Sequence, residues 1–236
     1  MRSLIVMAMF TASLSYAAWN GYTEDRSLEL PAVGINALEI DSGAGSLEVV
    51  ASPDAQDVRV LAQIRIADAD AEEAHELIES DLRLTLEKSA DAALLHADFD
   101  HGMWNSRWNS SIDLQVQMPR GLALMIDDGS GPIKVDAPGS RLVIDDGSGP
   151  IRVLRAGATD IDDGSGSIDV HDIVGDVTID DGSGDVLVRN VEGSVIIDDG
   201  SGSIDVADVS EDLTIIDDGS GSLRLSDIRG QVTQPD

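Results

Sequence analysis

The stretch Ile126-Asp127-Asp128-Gly129-Ser130-Gly131 decides the fold, because Ile-Asp-Asp-Gly-Ser-Gly returns at Ile144, Ile161, Ile179, Ile197 and Ile216. The first aspartates of these copies, Asp127, Asp145, Asp162, Asp180, Asp198 and Asp217, are separated by 18, 17, 18, 18 and 19 residues. A unit this short cannot bury its own apolar face, so units repeated at a fixed period must stack. After each Gly-Ser-Gly the apolar residues alternate: Ile133 and Val135, Ile151 and Val153, Ile168 and Val170, Val186 and Val188, Ile204 and Val206, Leu223 and Leu225. Period 2 is the signature of a strand. A further apolar column, Pro138, Ala156, Ile173, Val191, Val209 and Ile228, lies beside turns marked by Gly139, Gly157, Gly175, Gly193 and Gly230. The next strand supplies Leu142 and Ile144, Val177 and Ile179, and Val195 and Ile197. Each unit is thus two short strands and two turns. The expected fold is all-β, a flattened β-solenoid (β-helix) of coils about 18 residues long with one capping α-helix near its N-terminus. Its narrow interior suits small aliphatic side chains, in keeping with an aromatic content of only 3%. The extra residue near Leu213 to Ile216 predicts a bulge.

Toward the N-terminus, residues 28–118 carry the same theme less regularly. Leu38-Glu39-Ile40-Asp41-Ser42-Gly43-Ala44-Gly45-Ser46-Leu47-Glu48-Val49 is a degenerate copy of the repeat. A strand is expected over Val58–Ile66. Asp68 or Asp70 then caps a helix running to about Ser80, in which Ala74, Leu77 and Ile78 share one face. Further strands are expected at Leu82–Leu86, Leu94–Phe99 and Ile112–Met118. At the start of the chain, Arg2, the apolar run Leu4–Phe10 and Ser15-Tyr16-Ala17 form a secretory signal peptide with cleavage expected before Ala18. The organisation read from the sequence is a signal peptide at 1–17, a β-rich capping region with one helix at 18–118, and regular solenoid repeats at 119–236.

This layout of signal peptide, Ser-Gly-containing first repeat, helix, a strand ending in Met118-Pro119-Arg120-Gly121-Leu122 and then Ser-Gly-x-Ile-x-Val units resembles a bacterial family of unknown function. Its members are exported β-strand-repeat proteins known as putative adhesins. The resemblance spans roughly residues 28–230 and implies a stacked β fold and an adhesin-like role. It brings no catalytic residues. The chain departs from the family pattern in the near-identity of its copies and in the paired aspartates that each one carries.

Charge narrows the function classes. The 236 residues include 15 Lys+Arg and 45 Asp+Glu, a net charge of -30. Such an excess repels nucleic-acid phosphates and anionic lipid, whose binding depends on Lys and Arg. No nucleic-acid partner is expected. Cations, polyamines and basic protein surfaces are the partners it would attract. The chain has no Cys, so disulfides and thiol chemistry are absent.

Stacking places the first aspartates in one column and Asp128, Asp146, Asp163, Asp181, Asp199 and Asp218 in a second, with neighbours one strand spacing, about 4.8 Å, apart. Two charges at that distance in water repel by roughly 0.9 kcal/mol. Something must offset the sum over both columns: bound cations, raised pKa values, hydrogen bonds from turn N–H groups and Ser hydroxyls, or splayed side chains. Among metals calcium suits such oxygen ligands, so all twelve aspartates are candidate calcium ligands; the competing reading is that Asp-Gly pairs simply form turns. The pattern matches neither an EF-hand loop nor the nonapeptide calcium repeat. If Ile points inward, alternation turns the first Asp out and the second in. An inward Asp then needs Ser130, Ser148, Ser165, Ser183, Ser201 or Ser220 as partner. Gly-Ser-Gly is no nucleophile elbow, which needs Gly-x-Ser-x-Gly and a His partner for each Ser, and a phosphate cradle flanked by paired Asp would repel its ligand.

One segment breaks the pattern. Residues 98–111 concentrate Trp104, Arg107 and Trp108 beside His101, giving a candidate surface for a glycan or a protein partner; the alternative is a loop folded over the first coils. The expectation for the whole chain is a non-catalytic, exported structural or binding module of the bacterial cell envelope, periplasmic or extracellular. It has no required cofactor and no membrane-spanning segment, and its expected partner is an envelope protein or glycan. Self-association through the C-terminal coil is also expected. The alternatives are a calcium-dependent adhesion module using the Asp ladders and, more distantly, a polysaccharide-cleaving β-helix enzyme.

Overall fold

A computed structural model describes residues 21–100 and 109–235. The chain forms, in order, β1 (Gly21–Pro31), β2 (Ala37–Ala44), β3 (Leu47–Ser52), β4 (Asp57–Ala67), α1 (Ala71–Asp81), β5 (Leu82–Ser89), β6 (Ala92–Phe99), β7 (Ser110–Pro119) and β8 (Ala123–Ser130). Shorter strands follow: β9 (Ile133–Asp136), β10 (Leu142–Asp146), β11 (Ile151–Arg155), β12 (Thr159–Asp163), β13 (Ile168–Ile173) and β14 (Val177–Asp181). The last are β15 (Val186–Val191), β16 (Val195–Asp199), β17 (Ile204–Val209), β18 (Leu213–Asp217), β19 (Leu223–Ile228) and β20 (Val232–Thr233).

These strands make two ten-stranded mixed sheets, ordered β1-β4-β7-β3-β9-β11-β13-β15-β17-β19 and β20-β18-β16-β14-β12-β10-β8-β2-β6-β5. From β8 onward the chain visits the sheets alternately, and each strand pairs in parallel with its counterparts one repeat before and after. The fold is all-β with one helix, as expected. Parallel pairing in register follows from the repeat: Ile126, Ile144, Ile161, Ile179, Ile197 and Ile215 stack on one another. Opposite them, Ile133, Ile151, Ile168, Val186 and Ile204 do the same in the first sheet. The side chains of both columns are buried in one continuous apolar core.

The antiparallel pairings, β1 with β4, β4 with β7 and β5 with β6, all lie at the N-terminal end of the stack. There α1 carries the chain from β4 in the first sheet to β5 in the second. Asp70 caps it: its carboxylate accepts from the N–H groups of Glu72 and Glu73, and the Glu73 side chain accepts from the Asp70 N–H in return. Ala74, Leu77 and Ile78 are its buried face. Strand β1 lies outside the elements read from the sequence. Its burial alternates only between intermediate and exposed, because as an edge strand it covers the sheet without entering the core.

Two details differ from expectation. The third apolar column starts at Ala137, fully buried, rather than at Pro138, which is only partly covered. The first repeat is one residue shorter at this bend, and the pairing slips between Val153 and Arg155 to absorb the difference. The bulge is present: Ile215, not Ile216, faces the core, Ile216 is 55% exposed, and Asp198 pairs with Asp217 after a register shift.

Close stacking explains Gly-Ser-Gly. A Cβ at the second glycine, as at Gly166, Gly184 or Gly202, would overlap the carbonyl oxygen of the corresponding glycine one repeat earlier. At the opposite bend the chain turns through left-handed residues: Asp172, Asn190, Asp208 and Asp227 have φ of 56°, 57°, 59° and 55°. Asn and Asp tolerate that region better than other residues with a Cβ, because their short polar side chains bond locally. Gly184→Ala is expected to cost about 3 kcal/mol by overpacking, whereas Ser183→Ala stays within about 0.5 kcal/mol. Asp208→Val, which forces a β-branched residue into the left-handed region, costs about 1–2 kcal/mol, and Asp208→Gly does not. Chemical denaturation of the variants measures all of these.

Candidate functional site: two registered rows of aspartates

Ile-Asp-Asp ends β10, β12, β14 and β16 and lies within β8, and the alternation of its side chains there sorts the paired aspartates onto opposite faces. Asp127, Asp145, Asp162, Asp180 and Asp198 turn outward and align in register; Asp41 of β2 extends the row at one end and Asp217 at the other. Next to Asp41, His96 of β6 places its Nδ1 2.8 Å from the Asp41 carboxylate. The outward row is therefore a registered series of aspartates, one per strand, on the face of a parallel sheet.

The second aspartates turn inward. Asp128, Asp146, Asp163, Asp181 and Asp199 are between 0% and 4% exposed. Ser42 of β2 stands at the head of their file, in register with Asp128. Its hydroxyl donates to Asp128 Oδ1 at 2.6 Å. In the other four rungs Oδ1 accepts from the backbone N–H of the motif serine: Ser148 at 3.2 Å, Ser165 at 3.0 Å, Ser183 at 3.0 Å and Ser201 at 2.9 Å. The expected partner residue is correct in these four, but it binds through its main chain, because the turn folds its own N–H back over the carboxylate. Asp218 does not join the file. The bulge displaces the last copy, where Asp217 is exposed and accepts instead from the Gly219 N–H at 2.9 Å.

The second oxygen of each inward carboxylate, Oδ2 of Asp128, Asp146, Asp163, Asp181 and Asp199, has no hydrogen-bond partner. Burial in these surroundings penalises the charged form and pushes the Asp128 carboxyl up to about 7, against the favourable Ser42 bond. Burial likewise raises Asp146 and Asp181 to about 6. Asp163 and Asp199 are raised for the same reason, with neighbouring carboxylates adding to the shift.

No grouping of three or more His, Cys, Asp or Glu placed to hold a metal ion occurs among the described residues. Trp104, Arg107 and Trp108, the candidate partner or glycan contacts, lie outside the described residues, as does the segment 1–17. Also on the surface is a polar hollow of about 310 Å³ lined by Ser52, Asp54, Gln56, Asp57, Arg59 and Gln117, which no sequence motif announced. Its lining comes from the end of β3, the β3–β4 turn, the start of β4 and from β7, which the pairing of β7 with both β3 and β4 brings together.

A carboxyl whose pKa is higher in the folded chain binds more protons there than in the unfolded chain, so stability falls as pH rises through the interval between the two values. For the inward file that interval runs from about 4 to about 7. The melting temperature is expected to be higher at pH 5 than at pH 8, and Asp146→Asn combined with Asp181→Asn should flatten that slope. Ser42→Ala, which removes the one side-chain donor to Asp128, is expected to cost about 1.5–3 kcal/mol at pH 8, where the carboxylate is charged, and less at pH 5. Urea denaturation at the two pH values checks it.

No protein-family model matches the chain, and no curated protein matches it either. Solved structures do. A putative adhesin from Bacteroides fragilis superimposes with a TM-score of 0.55 at 14% identity, over 91% of this chain and 97% of its own. A putative adhesin from Parabacteroides distasonis does so with a TM-score of 0.50 at 12% identity, over 92% and 99%. At such identities the likeness is one of fold, and it is nearly complete in both directions: this chain has the architecture of bacterial proteins named as putative adhesins.

Proposed function

We propose that the chain is a non-catalytic binding module of the adhesin type, a flattened β-solenoid exported to the bacterial cell envelope that engages an envelope protein or glycan through its repeated outer surface. The observation that carries this reading is the outward row Asp41, Asp127, Asp145, Asp162, Asp180, Asp198 and Asp217, held in register along one sheet. A surface that repeats itself at every strand suits an extended or multivalent partner, where many weak contacts add. A net charge of -30 favours a basic one. The near-complete fold likeness to two proteins named as putative adhesins supports the same class, and the apolar run after Arg2 with Ser15-Tyr16-Ala17 supports export. The capping region over 18–118 and the regular repeats over 119–236 act in this reading as one stack, with Trp104, Arg107 and Trp108 as a second contact surface and the C-terminal coil as a point of self-association.

The test is binding of the chain without residues 1–17 to isolated envelope polysaccharides and to immobilised basic proteins. Saturable binding that weakens with salt and falls at least about tenfold in Asp145→Asn/Asp162→Asn/Asp180→Asn supports the proposal. Release of sugar products from any of the polysaccharides overturns it in favour of an enzyme. A second reading gives the outward row calcium as an ionic bridge to the partner, favoured by the alignment of its carboxylates at one strand spacing. It predicts a saturable rise in melting temperature with calcium that sodium chloride at matched ionic strength does not reproduce, and that the same triple variant loses.

A further inference from the structure

The polar hollow on the first sheet has no part in the aspartate surface of the second. It follows from the path of the chain. Strands β3 and β4 lie on opposite sides of β7, so the connection between them, residues 53–56, has to pass over the end of β7. Hydrogen bonds fix the main chain of this crossing. The Ser52 carbonyl accepts from the N–H groups of Ala55 and Arg120 at 3.4 and 3.3 Å, and the Gln56 carbonyl accepts from the Ala32 N–H at 3.1 Å. The crossing, together with Asp57, Arg59 and Gln117, encloses a hollow of about 310 Å³.

The side chains that line it divide into two sets. Arg59 is engaged: its Nε and Nη2 donate to Glu29 at 3.1 and 3.0 Å, and Nη2 also reaches Asp57 at 3.3 Å. Asp54, Gln56 and Gln117 are not engaged, since no side-chain hydrogen bond or ion pair holds them among the described residues. The β4–β7 pairing sets Gln117 directly across from Arg59, so an amide stands beside a guanidinium already bound to carboxylates. The free set is thus two amides, each both donor and acceptor, and one carboxylate, an acceptor only.

This set selects among ligands. An anion would meet Asp54 and Asp57 in the hollow and Glu29 beside it, against one guanidinium that those last two already hold. An apolar ligand would find no apolar lining except Ala55. A calcium ion needs six to eight oxygens, and Asp57 is shared with Arg59. A neutral polyhydroxyl ligand meets none of these objections, because each hydroxyl both donates and accepts and so suits an amide as well as a carboxylate. The volume lies at the lower end of ligand sites, about 300–1,000 Å³, which suits one sugar unit.

We infer that this hollow is a saccharide subsite, taking one neutral sugar unit through the side chains of Gln56, Gln117 and Asp54. The inference deepens the adhesin reading, on which it rests for a glycan as partner, and gives that glycan a place on the first sheet. The Arg59–Glu29–Asp57 pairs hold one wall in position. With no aromatic ring to stack on, a single sugar gains only its hydrogen bonds, so the dissociation constant is expected on the order of 1–10 mM.

Nitrogen-15 NMR of the glutamine side-chain amides in the full chain tests it, with glucose, galactose, mannose, N-acetylglucosamine, maltose and chitobiose as probes up to about 100 mM. At least one is expected to move the Gln56 and Gln117 amide signals saturably. A disaccharide that binds more tightly than the monosaccharide it contains assigns the subsite to a glycan chain, and the opposite order assigns it to a single sugar unit. Gln56→Ala/Gln117→Ala is expected to weaken binding about tenfold, with an unchanged melting temperature because both side chains are exposed. Asp145→Asn/Asp162→Asn/Asp180→Asn is expected to leave the sugar affinity unchanged. The inference is overturned if no neutral sugar moves the two amide signals, or if the glutamine variant binds as the wild type does. Tighter binding of glucuronate or spermidine at these amides overturns it as well. The glutamine variant reports on the hollow and the aspartate variant on the outward row, so the failure of one reading is distinguishable from the failure of the other.

Discussion

Parallel stacking in register is the constraint on which the rest of this molecule depends. When each strand lies beside its own copy, every residue meets its equivalent at about 4.8 Å, and whatever one repeat does is multiplied along the axis. Apolar side chains gain from this, since Ile on Ile and Val on Val continue one apolar core from β8 to β18. Side chains in the turns do not. The second glycine of each motif is required because the carbonyl of the preceding turn occupies the place of its Cβ. The near-identity of the six copies is thus a steric consequence of stacking before it is anything functional.

The same multiplication makes charge the difficult quantity. An isolated Asp-Gly turn is ordinary, but a stack of them is a line of like charges. The fold resolves this in two ways on the two faces of one strand. The outward row is left in water, where screening makes each repulsion small and where a cationic partner can use it. The inward file is buried, accepts an N–H or hydroxyl bond at Oδ1 of each rung, and burial raises its carboxyls above their ordinary range. Adjacent residues of one dipeptide thereby acquire different chemistry, set only by the pleat.

Much of this was legible in the sequence because it follows from period. The 17- to 19-residue spacing predicts the stacked strands, period 2 predicts which Asp faces in, and the extra residue predicts the bulge before Asp217. What escaped has a physical reason in each case. Strand β1 is an edge strand with a muted alternation, so it lacks the pattern that marks a buried strand. Counting three residues on from Val135 points to Pro138, but the bend there is one residue shorter and Ala137 takes the buried place. The left-handed column Asp172, Asn190, Asp208 and Asp227 was visible as a recurring Asx before an apolar residue, yet only the backbone angles say why. The choice of main-chain N–H over hydroxyl for the motif serines depends on turn geometry, and Ser42 opposite Asp128 depends on a pairing between residues 86 apart in sequence.

Near-identical copies raise a question of alignment, since a repeat displaced by one whole unit would find almost the same neighbours. A slip of one residue is prevented by the pleat, which would expose Ile and bury the outward Asp. A slip of one unit has to be prevented at the ends. At the head, Ser42 replaces the inward Asp and donates to Asp128, and the antiparallel β1, β4 and β7 fit only there. At the tail, Ile216 breaks the period so that β18 accepts β16 through a shifted pairing. Every interior repeat offers an acceptor to its neighbour, and among the described residues Ser42 is the side-chain donor to the file. The position of the stack is therefore set where the repeat is imperfect, and the degenerate first copy is what allows the perfect ones to be read in one frame.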